Sequence, residues 1–266
     1  MGLKMDLHMH STFSDGTMRP VDLVKKYHAE EYSLIALTDH DGIGGVKEAQ
    51  IAGEALGVQV ISGIELSTLF EGRTKLHILG YYIDIENKAL NEKLEKILAA
   101  RVERNQKLLK VFQDKGIDIT YEDLLQRPGQ TYVGKPNFAL AFQKMGLVEK
   151  PADAFQSKDL LGSPEAEAVR KEPFDSIEAV KLLREAGGIP SLAHPLKIKG
   201  IGEPDSEEFY ENLDGILRAL KKAGLKGLEC FHPSATHEQG IRLVKFAEKY
   251  HLHVTEGSDY HGPEFE

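Results

Sequence analysis

Two histidines separated by a single residue, His8 and His10, are the first side chains in the sequence that are suited to metal binding. Residues two apart in an extended segment project to the same side, so both imidazoles can bind one ion. An H-x-H pair alone is equally compatible with two polar residues on a solvated face. Further histidines and carboxylates follow or lie in other segments with strand character: Asp39, His40, Glu65, His77, His194, Asp259 and His261.

Seven short apolar or β-branched segments predict the strands that position these side chains. Most of them are followed by a helical pattern, and this alternation predicts parallel βαβ units in an open doubly wound sheet or in a barrel. Polar side chains at the carboxyl ends of parallel strands converge on one face. Histidines and carboxylates without a thiolate favour a centre for divalent Zn, Mn or Fe. The predicted strands are 4–7, 34–37, 58–61, 76–81, 189–193, 227–230 and 253–255.

The alternation of strands and helices stops between residues 86 and 173. Apolar residues recur at helical spacing from Asn87, and the pattern ends at Gly116, which predicts one long helix. Shorter helical segments are predicted at 121–125, 136–145 and 151–161. We therefore predict an α/β barrel domain formed by residues 1–85 and 174–266, with a helical insertion at residues 86–173.

Composition and charge exclude several classes of protein. With 41% hydrophobic and 28% charged residues and no apolar run of about 18 residues, the chain is predicted to be a folded cytoplasmic protein without a membrane segment. The single cysteine, Cys230, is predicted to be a small core residue. The formal net charge is 33 minus 42, or -9, and no basic run is present, which argues against binding of a long nucleic acid duplex. No obligate protein partner is indicated, and bound divalent cations would permit a small anionic substrate.

Six motifs follow one another along the chain: DLHMHSTFSDGT, ALTDHD, GIELS, LHILGYYI, LAHP and GSDYHG. Together they resemble the PHP (polymerase and histidinol phosphatase) metal-dependent phosphoesterases. The similarity is greatest to a bacterial subgroup with a helical insertion after the fourth strand. Its members are similar to nucleoside monophosphate and 3',5'-bisphosphate phosphatases, and some trim short RNA from the 5' end. The resemblance implies a distorted seven-stranded (β/α)7 barrel with a helical insertion and a trinuclear metal centre.

The resemblance also implies how nine residues share three divalent ions, and every one of the nine positions carries a suitable ligand. A water bridging two such ions loses a proton near neutral pH, and the resulting metal-bound hydroxide can attack phosphorus. Asp39, beside His40, is expected to orient an imidazole, with catalysis as a general acid as the alternative. The first ion is assigned to His8, His10, Glu65 and Asp259, the second to Glu65 as a bridge with His77 and His194, and the third to Asp15, His40 and His261.

Five residues are candidates for substrate contact: Lys135, Lys171, Lys197, His232 and His237. His237 fits an ordinary position in a first helical turn equally well. The segment at 134–139 reads GKPNFA where relatives read G-R-P-H-[IF]-A, so Lys135 and Asn137 replace an arginine and a histidine. The inserted helices are expected to lie over the metal face, with Lys135 contacting a substrate phosphate.

These features predict a phosphoesterase that hydrolyses phosphomonoesters of small nucleotides. Three alternatives remain open: hydrolysis of histidinol phosphate, 5' to 3' trimming of short oligoribonucleotides, and a metal-dependent binding module without turnover. The complete set of nine ligands argues against the binding module. The absence of a basic groove from the sequence pattern argues against long nucleic acids.

Overall fold

The computed structural model describes residues 4–127, 130–170 and 172–263. The chain divides into two compact units. We call Met1–Lys93 with Pro173–Glu266 the barrel unit, and Leu94–Glu172 the helical unit. Each unit is described by itself below.

A seven-stranded sheet forms the centre of the barrel unit, and its strands are neighbours in the order of the sequence. A bridge between Met9 and Tyr260 joins the first strand to the segment after the last, so the sheet is nearly closed into a barrel. The predicted seven-stranded α/β barrel is therefore confirmed. The strands are β1 Met5–Met9, β2 Leu34–Leu37, β3 Gln59–Phe70, β4 Thr74–Tyr81, β5 Ile189–Leu192, β6 Gly227–Phe231 and β7 His253–Glu256.

The prediction of parallel βαβ units throughout is wrong at one place, because β4 is antiparallel to both of its neighbours. The third strand does not stop at residue 61 but continues to Phe70, and only three residues separate it from Thr74. Such a short connection makes a hairpin, whereas a parallel crossover needs a dozen or more residues. Glu71 and Gly72 turn the chain with positive φ angles of 50° and 69°.

Helices cover the outside of the sheet in the barrel unit. Helix α1 begins at Pro20, whose fixed φ suits a first helical position. Helix α9 begins after Thr236, whose hydroxyl accepts a bond from the Gln239 N–H at 3.2 Å while the Gln239 side chain accepts one from the Thr236 N–H at 2.8 Å. These helices are α1 Pro20–Ala29, α2 Val46–Leu56, α7 Ser176–Glu185, α8 Glu207–Ala223 and α9 His237–Lys249, with a 3-10 turn at Pro195–Lys197.

The helical unit is built around buried phenylalanines. Phe112, Phe138 and Phe142 are fully buried, with Phe112 and Phe142 in edge-to-face contact at a centroid distance of 4.9 Å. The predicted long helix is present as α3 Lys88–Asp114, which begins in the barrel unit. The remaining elements are a 3-10 turn at Glu122–Leu124, α4 Lys135–Lys144, α5 Pro151–Gln156 and α6 Pro164–Ala168.

Two apolar clusters support the strands of the barrel unit. Leu23 and Tyr27 of α1 pack against Ile35 and Leu37 of β2 in a cluster that also contains Met9. A second cluster joins residues of β2, β3, β4 and the end of β5: Ala36, Ile61, Leu79, Tyr81 and Ala193. None of the helices described is both long and apolar enough to cross a membrane.

Candidate metal centre

His8 and His10 lie at the carboxyl end of β1 and are fully buried. Met9 between them belongs to the apolar cluster under α1, so strand alternation directs both imidazoles to the other side of the sheet. The backbone after β7 passes very close to β1 at this point. A Cβ atom on Gly257 would lie only 2.3 Å from the Cβ of His8, so only glycine permits this approach.

The first group of possible ligands comprises His8, His10, Glu65 and Asp259, with one donor atom of each within 4.8 Å of the others. His8 Nε2 lies 3.3 Å from Glu65 Oε2 and 3.4 Å from Asp259 Oδ1. His10 Nε2 lies 3.3 Å and 3.1 Å from the same two oxygens. These are the four residues that the family resemblance assigns to the first ion.

The second group is arranged around the other side of Glu65. Its Oε1 is 2.8 Å from His77 Nδ1 and 2.9 Å from His194 Nε2, the two histidines assigned to the second ion. His40 also approaches, with Nδ1 at 3.0 Å from Glu65 Oε2. Glu65 does not follow the third strand, as predicted, but lies within β3 opposite Leu79, and its two oxygens face two sets of imidazoles.

The third group contains Asp15, His40 and His261, as predicted, together with His10. His261 Nε2 lies 3.4 Å from Asp15 Oδ1, and His40 Nε2 lies 3.7 Å from Asp15 Oδ2. The rings of His10 and His261 are stacked at a centroid distance of 4.2 Å. Eight of the nine predicted ligands therefore lie in three groups of close donor atoms, and His10, His40 and Glu65 each belong to two of them. The ninth, His194, reaches the cluster through its contact with Glu65 Oε1.

The residues of this cluster fit divalent cations. His8 Nε2 and Glu65 Oε2 are buried, and neither has a hydrogen-bond partner within the part of the chain that the structure describes. Burying polar atoms without a partner is unfavourable, and both atoms face the other donors of the first group. Imidazole nitrogens and carboxylate oxygens are suitable ligands for Zn, Mn and Fe.

Carboxylates around His8 and His10 alter the titration of both rings. Burial by itself would lower the pKa of His8, but Glu229 and Glu65 outweigh it and raise the pKa well above the ordinary value. Burial opposes protonation of His10 as well, yet its hydrogen bond to Asp259 and the nearby carboxylate of Glu65 raise its pKa to about 10. Both rings therefore carry protons at neutral pH in the metal-free protein, and those positive charges occupy the region where a cation would bind.

His40 and the three carboxylates of the centre have lowered pKa values instead. Burial lowers the pKa of His40 to about 4, although Glu65 and Asp15 act against it, so this imidazole is neutral at pH 7. Burial would raise the pKa values of Asp15, Glu65 and Asp259, but neighbouring imidazoles outweigh it and lower all three. The carboxylates are thus ionised, as ligands of a cation must be.

Within the part of the chain that the structure describes, the hydrogen bonds of Asp39 go to serines, so the expected orientation of an imidazole by Asp39 stays a prediction. Its Oδ1 accepts bonds from the Ser11 N–H and the Ser14 hydroxyl, both at 2.7 Å, and its Oδ2 accepts one from the Ser11 hydroxyl at 2.7 Å. Burial raises its pKa, although the bonds from Ser14 and Ser11 act against that rise. Asp39 therefore holds the loop between His10 and Asp15 by its serines.

Two of the predicted substrate residues lie beside Asp259. Lys197 Nζ is 2.6 Å from Asp259 Oδ2, and His232 Nε2 is 3.2 Å from the same oxygen. Because His232 Nδ1 accepts a bond from the Ser234 N–H at 2.9 Å, Nε2 is the protonated nitrogen that donates to Asp259. Asp259 is therefore held through one oxygen, while its other oxygen faces His8 and His10. Contact of Lys197 and His232 with a substrate stays a prediction.

The other substrate candidates have different surroundings. His237 is the exposed first residue of α9 and stacks on Phe231 at a centroid distance of 5.8 Å, outside the three ligand groups. Lys135 is the half-buried first residue of α4. At the start of this helix the side-chain oxygen Oδ1 of Asn137 accepts a hydrogen bond from the Gly134 N–H at 2.8 Å. Lys171 lies outside the described residues. The roles of all three stay predictions.

Two buried carboxylates that support the centre were missed in the sequence. Glu229 in β6 is bonded to His8 and to the backbone of His194. Asp6 accepts bonds from the Ser258 N–H at 3.0 Å and hydroxyl at 2.6 Å, which ties β1 to the segment carrying Asp259. A carboxylate inside an otherwise apolar strand was the available signal in both cases.

The PHP domain model matches residues 6–121 of the chain. A 5'-3' exoribonuclease of Haemophilus influenzae is 32% identical over 263 residues, covering 99% of this chain and 92% of that protein. A phosphoribosyl 1,2-cyclic phosphate 1,2-diphosphodiesterase of Eggerthella lenta is 31% identical, covering 97% and 94%. A 3',5'-nucleoside bisphosphate phosphatase of Chromobacterium violaceum is 28% identical, covering 97% and 87%.

Solved structures agree with these similarities. A Bifidobacterium adolescentis protein assigned as a metal-dependent phosphoesterase superposes with a TM-score of 0.82 at 29% identity, covering 98% of this chain and 89% of that chain. A Chromobacterium violaceum amidohydrolase with bound sulfate superposes with a TM-score of 0.86 at 26% identity, covering 98% and 88%. In each of these comparisons the similarity extends over nearly the whole of both chains.

Proposed function

This chain belongs to the PHP family of metal-dependent phosphoesterases, and on that premise we propose that it hydrolyses phosphomonoesters of small nucleotides. The substrates we infer are nucleoside monophosphates or 3',5'-bisphosphates. The observation that carries the proposal is the convergence of eight histidines and carboxylates into three groups that share Glu65, His10 and His40, with His194 bonded to Glu65 beside them. Shared ligands place cations close together, which is the arrangement that phosphoryl transfer uses.

We infer three divalent ions per chain, of Mn, Zn or Fe. The first ion would be held by His8, His10, Glu65 and Asp259. The second would be held by Glu65, His77 and His194, and the third by Asp15, His40 and His261. Bound ions would lower the pKa of a water nucleophile and neutralise phosphate oxygens.

Four surrounding residues have separate tasks in this proposal. Asp39 fixes the loop that carries Asp15, and His232 fixes Asp259 by its Oδ2. Lys197 lies beside Asp259 of the first ligand group, and we propose that its ammonium stabilises negative charge on substrate oxygens. Lys135 is proposed to bind a further phosphate oxygen, as a single charge rather than the paired fork of an arginine.

A panel of substrates tests this function. Phosphate release is measured from nucleoside monophosphates, a 3',5'-bisphosphate and histidinol phosphate, with added Mn and after exhaustive chelation. We expect metal-dependent release from at least one nucleotide. Release from histidinol phosphate alone would replace the proposed substrate class, and no release from any phosphoester would support a binding module instead.

Removal of nucleotides from the 5' end of short oligoribonucleotides is the second candidate. It is favoured by the 32% identity to the Haemophilus influenzae exoribonuclease over almost the full length of both chains. A 5'-phosphorylated dinucleotide and a ten-nucleotide RNA, added to the same panel, separate the two activities. Faster release of mononucleotides from RNA than of phosphate from nucleotides would favour trimming.

A further inference from the structure

Glu229 is a fully buried carboxylate in the middle of β6, between the apolar residues Leu228 and Cys230. A charged side chain at such a place is unfavourable unless its oxygens are paired. It belongs to none of the three ligand groups. Its presence inside the barrel therefore requires a reason other than direct ligation.

The two oxygens of Glu229 bind two different residues of the centre. Oε1 accepts a bond from His8 Nδ1–H at 2.9 Å, and Oε2 accepts one from the backbone N–H of His194 at 2.6 Å. With its Nδ1 occupied in this way, His8 presents Nε2 to Glu65 Oε2 at 3.3 Å and Asp259 Oδ1 at 3.4 Å. A partner on one ring nitrogen fixes both the tautomer and the direction of the other nitrogen.

His194 depends on Glu229 in a different way. Its backbone has φ 24° and ψ 65°, in the left-handed region that residues with a Cβ rarely adopt. The short bond from its N–H to Glu229 holds this conformation at the end of β5. In that conformation the imidazole Nε2 lies 2.9 Å from Glu65 Oε1.

We propose that Glu229 is a positioning residue that fixes His8 for the first ion and His194 for the second at the same time. The inference rests on the metal centre of the proposed function, but not on the identity of the substrate. The hydrogen bonds of Glu229 go to His8 and to the backbone of His194, which are assigned to the first and second ions, so we expect the third ion to be the least affected by it.

Metal binding by the folded protein tests the proposal without any measurement of activity. Ions are removed from the purified protein with a competing chelator, and the content and affinity of Mn and Zn are determined for each variant. In Glu229→Gln one amide oxygen remains to accept, while the NH2 group faces a second donor, so one of the two contacts is lost. We expect the two ions that depend on His8 and His194 to bind about 10- to 100-fold more weakly.

Two further variants identify which ions are affected. Cys230→Ala alters the same buried strand without touching a ligand residue, and we expect it to keep the wild-type affinities. Asp15→Asn should weaken only the third ion, which Glu229→Gln should leave at its wild-type affinity. Circular dichroism and the melting temperature of the metal-free proteins establish that each variant is folded.

Wild-type affinities for every ion in folded Glu229→Gln would overturn the proposal, and so would equal weakening of all three ions. Equal losses in Glu229→Gln and Cys230→Ala would show a packing role for β6 and also overturn it. A protein that binds its ions but hydrolyses no phosphoester would refute the proposed function and leave the metal-binding result standing.

Discussion

Replacing Asp39 by alanine should release the loop that carries Asp15. The carboxylate is buried and accepts three bonds of 2.7 Å from Ser11 and Ser14. Ser14 in turn lies 3.5 Å from His10 Nδ1, so the loop connects Asp39 to two residues of the third ligand group. We expect loss of stability together with weaker binding of the third ion.

The size of the effect follows from these bonds. A hydrogen bond to a charged group contributes about 1.5–3 kcal/mol, so three of them contribute about 4.5–9 kcal/mol. Removing the buried carboxylate regains a desolvation cost of several kcal/mol. The net loss for Asp39→Ala is therefore about 3 kcal/mol, which lowers the melting temperature of a chain of this size by about 6–12 °C.

Asp39→Asn separates a positioning role from general acid catalysis. An asparagine oxygen still accepts the bonds from the Ser11 N–H and the Ser14 hydroxyl, so we expect a loss of about 1 kcal/mol and retained activity. Melting temperature, metal content and kcat are measured for both variants, with Asp118→Ala as an exposed control that should stay within about 0.5 kcal/mol. The positioning role would be refuted if Asp39→Asn lost activity but kept wild-type stability and metal content. It would also be refuted if Asp39→Ala were as stable as the control variant.

Three more predictions concern the same region. The pKa of His10 is raised to about 10, so its ring is protonated at pH 8, and ion uptake at that pH should release about one proton per chain from His10. The raised pKa of His8 should add to this release. Calorimetry in two buffers with different ionisation enthalpies measures the proton release, and zero release would contradict the prediction. Burial and the nearby Glu229 raise the pKa of Cys230 to about 12, so the native protein should not react with a thiol reagent at pH 8, whereas the unfolded protein should. Gly257→Ala places a Cβ 2.3 Å from that of His8 and should lower the free energy of unfolding by about 1–3 kcal/mol, measured with denaturant. Gly215→Ala lies in α8, where a Cβ would meet no atom within 4 Å, and should raise that free energy by about 0.5–1 kcal/mol. Equal effects of the two substitutions would contradict the packing argument.

The residues alone predicted alternating strands and helices, with polar side chains converging at the strand ends, and the family resemblance added the barrel and the nine candidate ligands. The first two predictions depend on local features: apolar strands, and polar residues that directly follow or interrupt them. His8 and His10 illustrate this, since strand alternation alone places them on one side of β1. The long helix α3 was equally predictable because its apolar spacing persists over seven turns.

Features that depend on partners distant in sequence were not predictable in this way. The true length of β3 is decided by pairing with β4, whereas the polar residues Ser62 and Gly63 suggested that the strand had ended. Asp39 lies beside His40 in the sequence, yet its oxygens bind serines 28 and 25 residues away. Glu229 is separated from His8 by 221 residues, so no local pattern reveals their contact.

The bridge between β1 and the segment after β7 also determines when the centre can exist during synthesis. His8 and His10 leave the ribosome early, but Asp259 and His261 are translated some 250 residues later. At about 5–20 residues per second, the early ligands therefore wait on the order of ten seconds or more for their partners. Until then the imidazoles of β1 and β2 have no closed barrel around them. The four residues of the first ligand group can therefore meet only after Asp259 has been translated, and the nascent chain must keep its first strands from aggregating until β7 pairs.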